Sequence, residues 1–483
     1  MVLDKRPGRL GLAEGAVLGM EKAFSLAETA LEAARAAGAD EAEVVLLAED
    51  SGLTRYAANR IHQNVSERNA EIRVRAARGR RVAVASGNQT TTEAMRDLAT
   101  RAATMAIHAP EDVDFPGLPE PAKTPYLDQT TYYDATAELD APGRAQVVRE
   151  IVELLRGADA RGYGVMTNAV TEAAVVNSRG IRVHQSYTDA WLSVIASRDR
   201  PDTRTGARTA TGFATSGHRD WTELDPESVA LRALAKASLE PPRRVAAGRY
   251  TVILEEEAVA ELLSFLAYSA LNGLDMLEGR SLYAGRLGER RYPAGITLRD
   301  DPTDALGANA SFDFEGVPKS PLILIREGAL EQAAWDTATA RRAGRTSTGH
   351  ALPAPNPLGP IPLNLKLSPG HAGRAQLLSQ VQRGLVITRF HYVNEVDPAK
   401  TLLTGMTRDG TFLVEDGRVV APVQDLRWVE SVDAVLKQVV AVGDTLKLVS
   451  EGPGYGIRYF TGTLAPPLLV EGFTITGSAE EQA

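Results

Sequence analysis

The chain has 483 residues, 44% hydrophobic and 24% charged, which is the composition of a soluble globular protein and excludes a disordered one. Lys+Arg of 53 against Asp+Glu of 62 leaves a net charge of −9, which argues against nucleic acid as a partner. There is no cysteine, so disulfides, thiolate metal sites, iron–sulfur clusters and cysteine nucleophiles are excluded.

The length exceeds what one ordinary core holds, and two domains are expected, 1–240 and 249–483. No run approaches the roughly 18 apolar residues that span a bilayer. The start, with Asp4, Lys5, Arg6 and Pro7, has no continuous apolar stretch of the secretory kind. A cytoplasmic protein without membrane contact is the expectation. None of the seven histidines lies three or four residues from another, so no helix offers a paired imidazole metal site.

Residues 20–38 carry Phe24, Leu26, Ala27, Leu31 and Ala34 at helical spacing, with Gly38 as the stop. Short strands follow at Glu43–Leu47, Ile61–Val65, Ala70–Ala76 and Arg81–Ala85, and Thr91 or Thr92 caps a helix through Ala106. The proline-rich stretch 107–142 reads as a surface connection. A second unit then repeats the order. A helix over Arg144–Arg156 precedes strands near Gly164–Thr167, Ala173–Asn177, Ile181–Ser186 and Ala190–Ser197, and after a longer excursion comes a helix over Pro226–Ser238. Ile61-His62-Gln63-Asn64 is echoed by Val183-His184-Gln185-Ser186. Together these predict an N-terminal α/β domain of two pseudo-repeated helix–β-meander–helix units. His62 and His184 read as packing residues, and the four tryptophans as core or interface anchors.

From Arg249 on, strands and Gly turns dominate. Tyr250–Leu254, Leu322–Arg326, Leu385–Phe390, Gly410–Val414, Arg418–Val423 and Thr445–Val449 read as strands. Asp416-Gly417, Glu327-Gly328 and Asp409-Gly410 read as tight hairpin turns. Helices are expected at 257–271, Gly373–Val381 and Val432–Val439. The fold class is therefore α+β, with a mostly-β, barrel-like C-terminal domain. Gly452-Pro453-Gly454-Tyr455-Gly456 lacks both the P-loop lysine and the dinucleotide-binding spacing, and reads as a tight turn.

The most informative segment is Tyr250-Thr251-Val252-Ile253-Leu254-Glu255-Glu256-Glu257-Ala258-Val259-Ala260-Glu261, a strand running into an acidic helix start. Carboxylates at a helix N-terminus are favoured by its dipole, which accounts for the cluster by itself. The alternative is an altered metal site at Glu256, Glu257 and Glu261.

This segment resembles the part of the TldD/PmbA (TldD/TldE) peptidase family that carries H-E-x-x-x-H. Glu256 and Glu261 stand at the histidine positions and Glu257 at the catalytic glutamate. Asp313-Phe314-Glu315-Gly316-Val317-Pro318 resembles the family's D-x-E-G-x-P turn, and Leu322 to Leu330, Asp336 to Arg341 and Ser347-Thr348-Gly349 continue the match. The resemblance implies the two-part N-terminal domain and a C-terminal β-barrel.

The resemblance also bears on activity. In the TldD type, two motif histidines and a cysteine hold zinc, whose open position activates water. With glutamates at both histidine positions and no cysteine, this chain resembles the PmbA/TldE-like branch that lacks the zinc motif. That implies no catalytic, cofactor or metal residue of its own, with Glu256, Glu257 and Glu261 as degenerate motif positions. It further implies a heterodimer with a zinc-bearing TldD-type subunit, acting on small unfolded peptides. The rival readings are a homodimeric metallopeptidase with a carboxylate-bound metal, and a stand-alone peptide-binding scaffold.

Overall fold

A computed structural model describes residues 17–198, 210–238, 240–450, 458 and 461–478. Its first half is one antiparallel sheet flanked by helices. Helix α1 (Met20–Ala36) leads into strands β1 (Glu41–Ala57), β2 (Arg60–Arg78) and β3 (Arg81–Gly87), and helix α2 (Thr92–His108) closes the unit. After a short helix α3 (Asp134–Ala137), α4 (Ala141–Gly157) leads into β4 (Ala160–Asn177), β5 (Arg182–Arg198) and β6 (Thr211–His218), followed by α5 (Pro226–Lys236).

The strand order β3-β2-β1-β4-β5-β6 joins the two three-stranded meanders through their first strands, so each unit mirrors the other about the β1–β4 pair. His62 and His184 are each the third residue of the middle strand of their meander. His62 is exposed, whereas His184 packs edge-on against Phe24, with ring centroids 6.0 Å apart.

The strands are fewer and longer than expected. Ile61–Val65 and Ala70–Ala76 are parts of the single strand β2, and the four short strands of the second unit merge into β4 and β5. Simple alternation fails in β4 because both its faces are buried over most of its length. Strand β6, Thr211–His218, lies in what reads as an excursion; its run Gly212-Phe213-Ala214-Thr215-Ser216-Gly217 carries few β-branched residues.

Helix starts follow their caps. Thr91 Oγ1 accepts from the Ala94 amide of α2, and Asp140 Oδ1 from the Gly143 amide of α4. The buried faces of α1 and α2 lie against one half of the sheet, and those of α4 and α5 against the other.

The second half begins with β7 (Gly248–Leu254) and α6 (Glu256–Ser269), then α7 (Gly273–Leu277). Strands β8 (Leu298–Asp300), β9 (Leu322–Arg326), β10 (Ala329–Leu330) and β11 (Leu365–Leu367) follow, with α8 (Thr337–Arg342) between β10 and β11. Next come α9 (Arg374–Ser379), β12 (Arg383–Asp397), β13 (Leu402–Glu415), β14 (Arg418–Pro422), β15 (Leu426–Ser431) and α10 (Val432–Lys437). The described chain ends through β16 (Val439–Val442), β17 (Lys447–Val449), β18 (Thr463–Ala465) and β19 (Leu468–Ser478).

Strands β12-β7-β19-β15-β13 pair in that order and β13 returns to β12, closing a five-stranded barrel. A second sheet, β10-β9-β8-β11-β18-β17, shares its core with α6 and the barrel; the fold is α+β. Trp428 is fully buried there, its ring 4.5 Å from that of Phe390. Asp416-Gly417 and Glu327-Gly328 are left-handed turn pairs, with φ of 47° and 74°, and 45° and 81°. Asp409-Gly410 is not a hairpin. It is an irregularity inside β13, where the register with β12 slips between Ile387 and Arg389, and its positive φ values bend the strand around the barrel. Gly452–Gly456 lies outside the described residues.

The two halves meet through the Ser311–Pro318 loop. Phe312 and Phe314 pack onto the sheet face made by Val45, Leu47, Val175 and Tyr187. The Asp313 carboxylate shapes the turn by accepting the amides of Glu315, Val317 and Ala351. Glu315 reaches Arg75 of β2, which also pairs with the buried Glu43 at 2.9 Å. The proline-rich connection is strapped over this junction: Tyr126 Oη donates to the Gly316 carbonyl and Gln129 to that of Pro302.

Gly316 sits at the tightest point, with φ +75° and space for a Cβ only 2.4 Å from Ile181 Cγ2. Gly316→Ala combines left-handed strain of about 1–2 kcal/mol with overpacking of about 1–3 kcal/mol. Gly279→Ala, at φ +69° with nothing within 4 Å, carries the strain alone. Urea denaturation should therefore show Gly316→Ala to be clearly the more destabilised of the two. Equal losses would contradict the packing of this turn against Ile181.

Candidate functional site

Strand β7 runs between β12 and β19 and delivers its C-terminal end to the start of α6. Glu255 is the residue before the helix. Its amide donates to the Ile387 carbonyl of β12 and its carbonyl accepts from Val259, while its side chain makes no cap bond. The carboxylate instead turns onto cations and is 2% exposed. Oε2 accepts from Lys236 Nζ of α5 at 2.6 Å and from Thr388 Oγ1 at 2.9 Å; Oε1 accepts from an Arg374 guanidinium nitrogen at 2.6 Å.

Glu257, two residues on in the same buried junction, accepts from Lys447 Nζ of β17 at 2.5 Å and from Thr215 Oγ1 of β6 at 3.1 Å. The acidic segment therefore joins the two halves. Lys236 and Thr215 come from the N-terminal half, and Arg374, Thr388 and Lys447 from the C-terminal half.

Electrostatics follow from these contacts. Burial pushes the Glu255 carboxyl upward, but Lys236 and Arg374 overcome it and hold the pKa down at about 2. Burial likewise raises Glu257, and Lys447 with Lys236 outweighs it, leaving a net depression. For Glu256 the balance goes the other way: burial, then the neighbouring Glu257, raise it, and the more distant pull of Lys447 does not offset them. Glu256 and Glu261 are both half-buried.

The structure thus brings Glu257 together with Glu255, Lys447, Lys236 and Thr215, and does not gather Glu256, Glu257 and Glu261 around one point. Residues 256 and 261 lie five apart, about 140° around a regular helix. The partners of the site were not legible as a motif, because they stand as lone residues on five other segments. The one local signal was the acidic helix start Glu255-Glu256-Glu257, which the helix dipole already accounts for.

These residues do not fit the zinc that the family motif would hold. Such a site needs imidazole or thiolate donors with one open position. Here the Glu257 carboxylate already accepts from an ammonium and a hydroxyl, and a carboxylate with a depressed pKa is a weak base. Among the described residues no three His, Asp or Glu side chains group as a cation site.

Comparison with solved structures places the fold with TldE from Thermococcus kodakarensis. The TM-score is 0.83 at 21% identity, over 94% of this chain and 100% of that one. Residues 42–106, 134–239 and 247–477 match, in order, domain 1, the central domain and the C-terminal domain of the PmbA/TldA metallopeptidases. The chain belongs to the PmbA/TldD family. A protein named metalloprotease from Methanothermobacter thermautotrophicus is 27% identical over 341 residues, 67% of this chain and 72% of that protein. Metalloprotease PmbA of Escherichia coli O157:H7 is 26% identical over 231 residues, 47% of each.

The depressed Glu255 pKa makes a pH prediction. A group ionised more readily in the folded chain stabilises above its unfolded pKa, near 4.5, and that stability is lost as pH falls toward about 2. Allowing for the exposure of Arg374, the contribution is on the order of 2–3 kcal/mol. Glu255→Gln should unfold at lower urea than the wild type at pH 7, with the gap closing as pH falls through that window. A gap independent of pH would show that Glu255 is not an ion-paired carboxylate.

Proposed function

We propose that the chain is the PmbA/TldE-like subunit of a two-component peptidase and has no metal site of its own. In this reading it pairs with a TldD-type homologue that supplies zinc and the catalytic glutamate. The assembly cleaves small, unfolded peptides in the cytoplasm. The observation that carries the reading is the Glu257 carboxylate held by Lys447 and Thr215 where a metallopeptidase would leave it free to face a metal-bound water. The fold likeness to TldE and membership of the PmbA/TldD family support it. No helix among the described residues is long and apolar enough to cross a membrane.

In such a pair this chain contributes walls and rigidity. Its buried charge network fixes α6 against β6 and α5, and a fixed frame is what a partner's catalytic groups require to be held in position. The test is hydrolysis of unstructured peptides by the purified chain alone and after mixing with a TldD-type homologue, each with and without chelator. The chain alone should give no chelator-sensitive cleavage, and the mixture should cleave. Chelator-sensitive cleavage by the chain alone, abolished by Glu257→Gln, would overturn the proposal.

A further inference from the structure

The two units of the N-terminal sheet are alike in strand order but are not covered alike. In the second unit β6 pairs with β5 only over Ala190–Ser197, and the earlier part of β5 is closed by other segments of the chain. Along its edge, the Thr188 amide donates to the Thr131 carbonyl at 2.9 Å, and Thr131 Oγ1 donates to the Ser186 carbonyl at 2.8 Å. Over its face, Gln185 Nε2 donates to the Asn309 carbonyl and Gln185 Oε1 accepts from the Ser311 amide. Polypeptide from the proline-rich connection and from the C-terminal half fills both places.

In the first unit the same places are open. Strand β3 pairs with β2 only over Ile72–Arg78, so Arg60–Glu71 has β1 on one side and, among the described residues, no strand on the other. Apart from Val65, every residue of Arg60–Asn69 is exposed. Alternate backbone N–H and C=O groups of this stretch therefore point away from the sheet without a ladder partner, which is a template for a further strand. Gln63 and Gln185 are each the fourth residue of their strand. Unlike its counterpart, Gln63 is exposed and has no hydrogen-bond partner among the described residues.

A recess of about 240 Å³ lies on the sheet face beside this edge, with Glu49, Ser51, Leu53, Gln63, Val65 and Glu67 in its wall. Ser51 stands opposite Glu67 and Leu53 opposite Val65, so a strand added outside β2 would lay every second side chain along this same face. Of the charged residues in Arg60–Glu71, Glu67 alone lines the recess, and it has no ion-pair partner among the described residues. Arg68 is held by Asp50 at 2.6 Å, and Glu49 by Arg458 at 3.6 Å. The other unpaired charge of the wall, Arg55, stands at the far end, opposite Gln63.

We infer that the free edge of β2 binds an extended peptide as an added strand, with a lysine or arginine side chain of the peptide lying over the recess beside Glu67. Backbone groups of the edge supply the affinity, and Glu67 supplies the preference for a basic side chain. The second unit selects polypeptide as the occupant, because there the equivalent edge and face hold segments of this same chain. The inference shares with the proposed function only the class of ligand, and it requires neither a partner subunit nor a metal.

The test is fluorescence anisotropy of the full chain with a fluorescein-labelled, C-terminally amidated hexapeptide, Thr-Val-Lys-Val-Thr-Val. A second peptide carries glutamate for lysine. Two more are N-methylated at one or the other alternate set of residues, which keeps the side chains and deletes the donors of one edge. Saturable 1:1 binding of the lysine peptide is expected, several-fold weaker for the glutamate peptide. One N-methylated set should weaken binding roughly tenfold and the other should not, since only one edge of an added strand meets β2. Glu67→Lys should reverse the preference between the lysine and glutamate peptides. Hydrogen exchange should show peptide-dependent protection within Arg60–Glu71 and none within Arg182–Asp189, whose edge is already closed. Absence of saturable binding, equal loss with both N-methylated sets, or protection that falls on α6 instead would overturn the inference. So would protection of Arg60–Glu71 without peptide that grows with protein concentration, which would mean that a second copy covers the edge. The readout is binding by the unmixed chain, so a failure here is distinct from a failure of the mixed pair to cleave.

Discussion

The junction of the two halves depends on two carboxylates that are buried at the start of one helix. An unpaired buried carboxylate costs several kcal/mol, so Glu255 and Glu257 fix where Lys236, Arg374 and Lys447 must stand. Those cations arrive on α5, α9 and β17, which belong to different layers of the molecule. A helix start that could be satisfied by water in a smaller protein is here satisfied by the rest of the fold. The same contacts that hold the halves together also engage the Glu257 carboxylate, through Lys447 and Thr215.

A second buried charge system lies along the same junction. Glu43, Arg75 and Glu315 link the sheet to the Ser311–Pro318 loop, and Asp313 organises that loop through three backbone amides. The loop inserts two aromatic side chains between the halves, supplying the apolar burial that the ionic contacts lack.

Much of this was legible in the sequence, for identifiable reasons. Helices were marked by caps whose bonds are present, as at Thr91, and by apolar spacing, as in α1. The duplication was legible in the order of elements and in the His-Gln echo, whose members occupy equivalent strand positions. Strand lengths were not, because two-sided burial removes the alternation by which a strand is recognised. Asp409-Gly410 misled because a left-handed pair serves a barrel bend as well as a hairpin. The site was half legible. Glu255 to Glu261 stood out, but Lys447 pairs with Glu257 across 190 residues and Arg374 with Glu255 across 119, and no local pattern announces a partner so distant.

The central claim is that the Glu257 carboxylate is engaged by the Lys447 ammonium and not held in reserve for a metal. A double-mutant cycle on urea stability, using Glu257→Gln, Lys447→Met and the two combined, tests it most directly. The account predicts that either single change leaves a buried charge unpaired, so that the double variant loses less than the sum of the singles, with a coupling of about 1–3 kcal/mol. Additive losses would mean that the two groups do not interact, and would contradict the account.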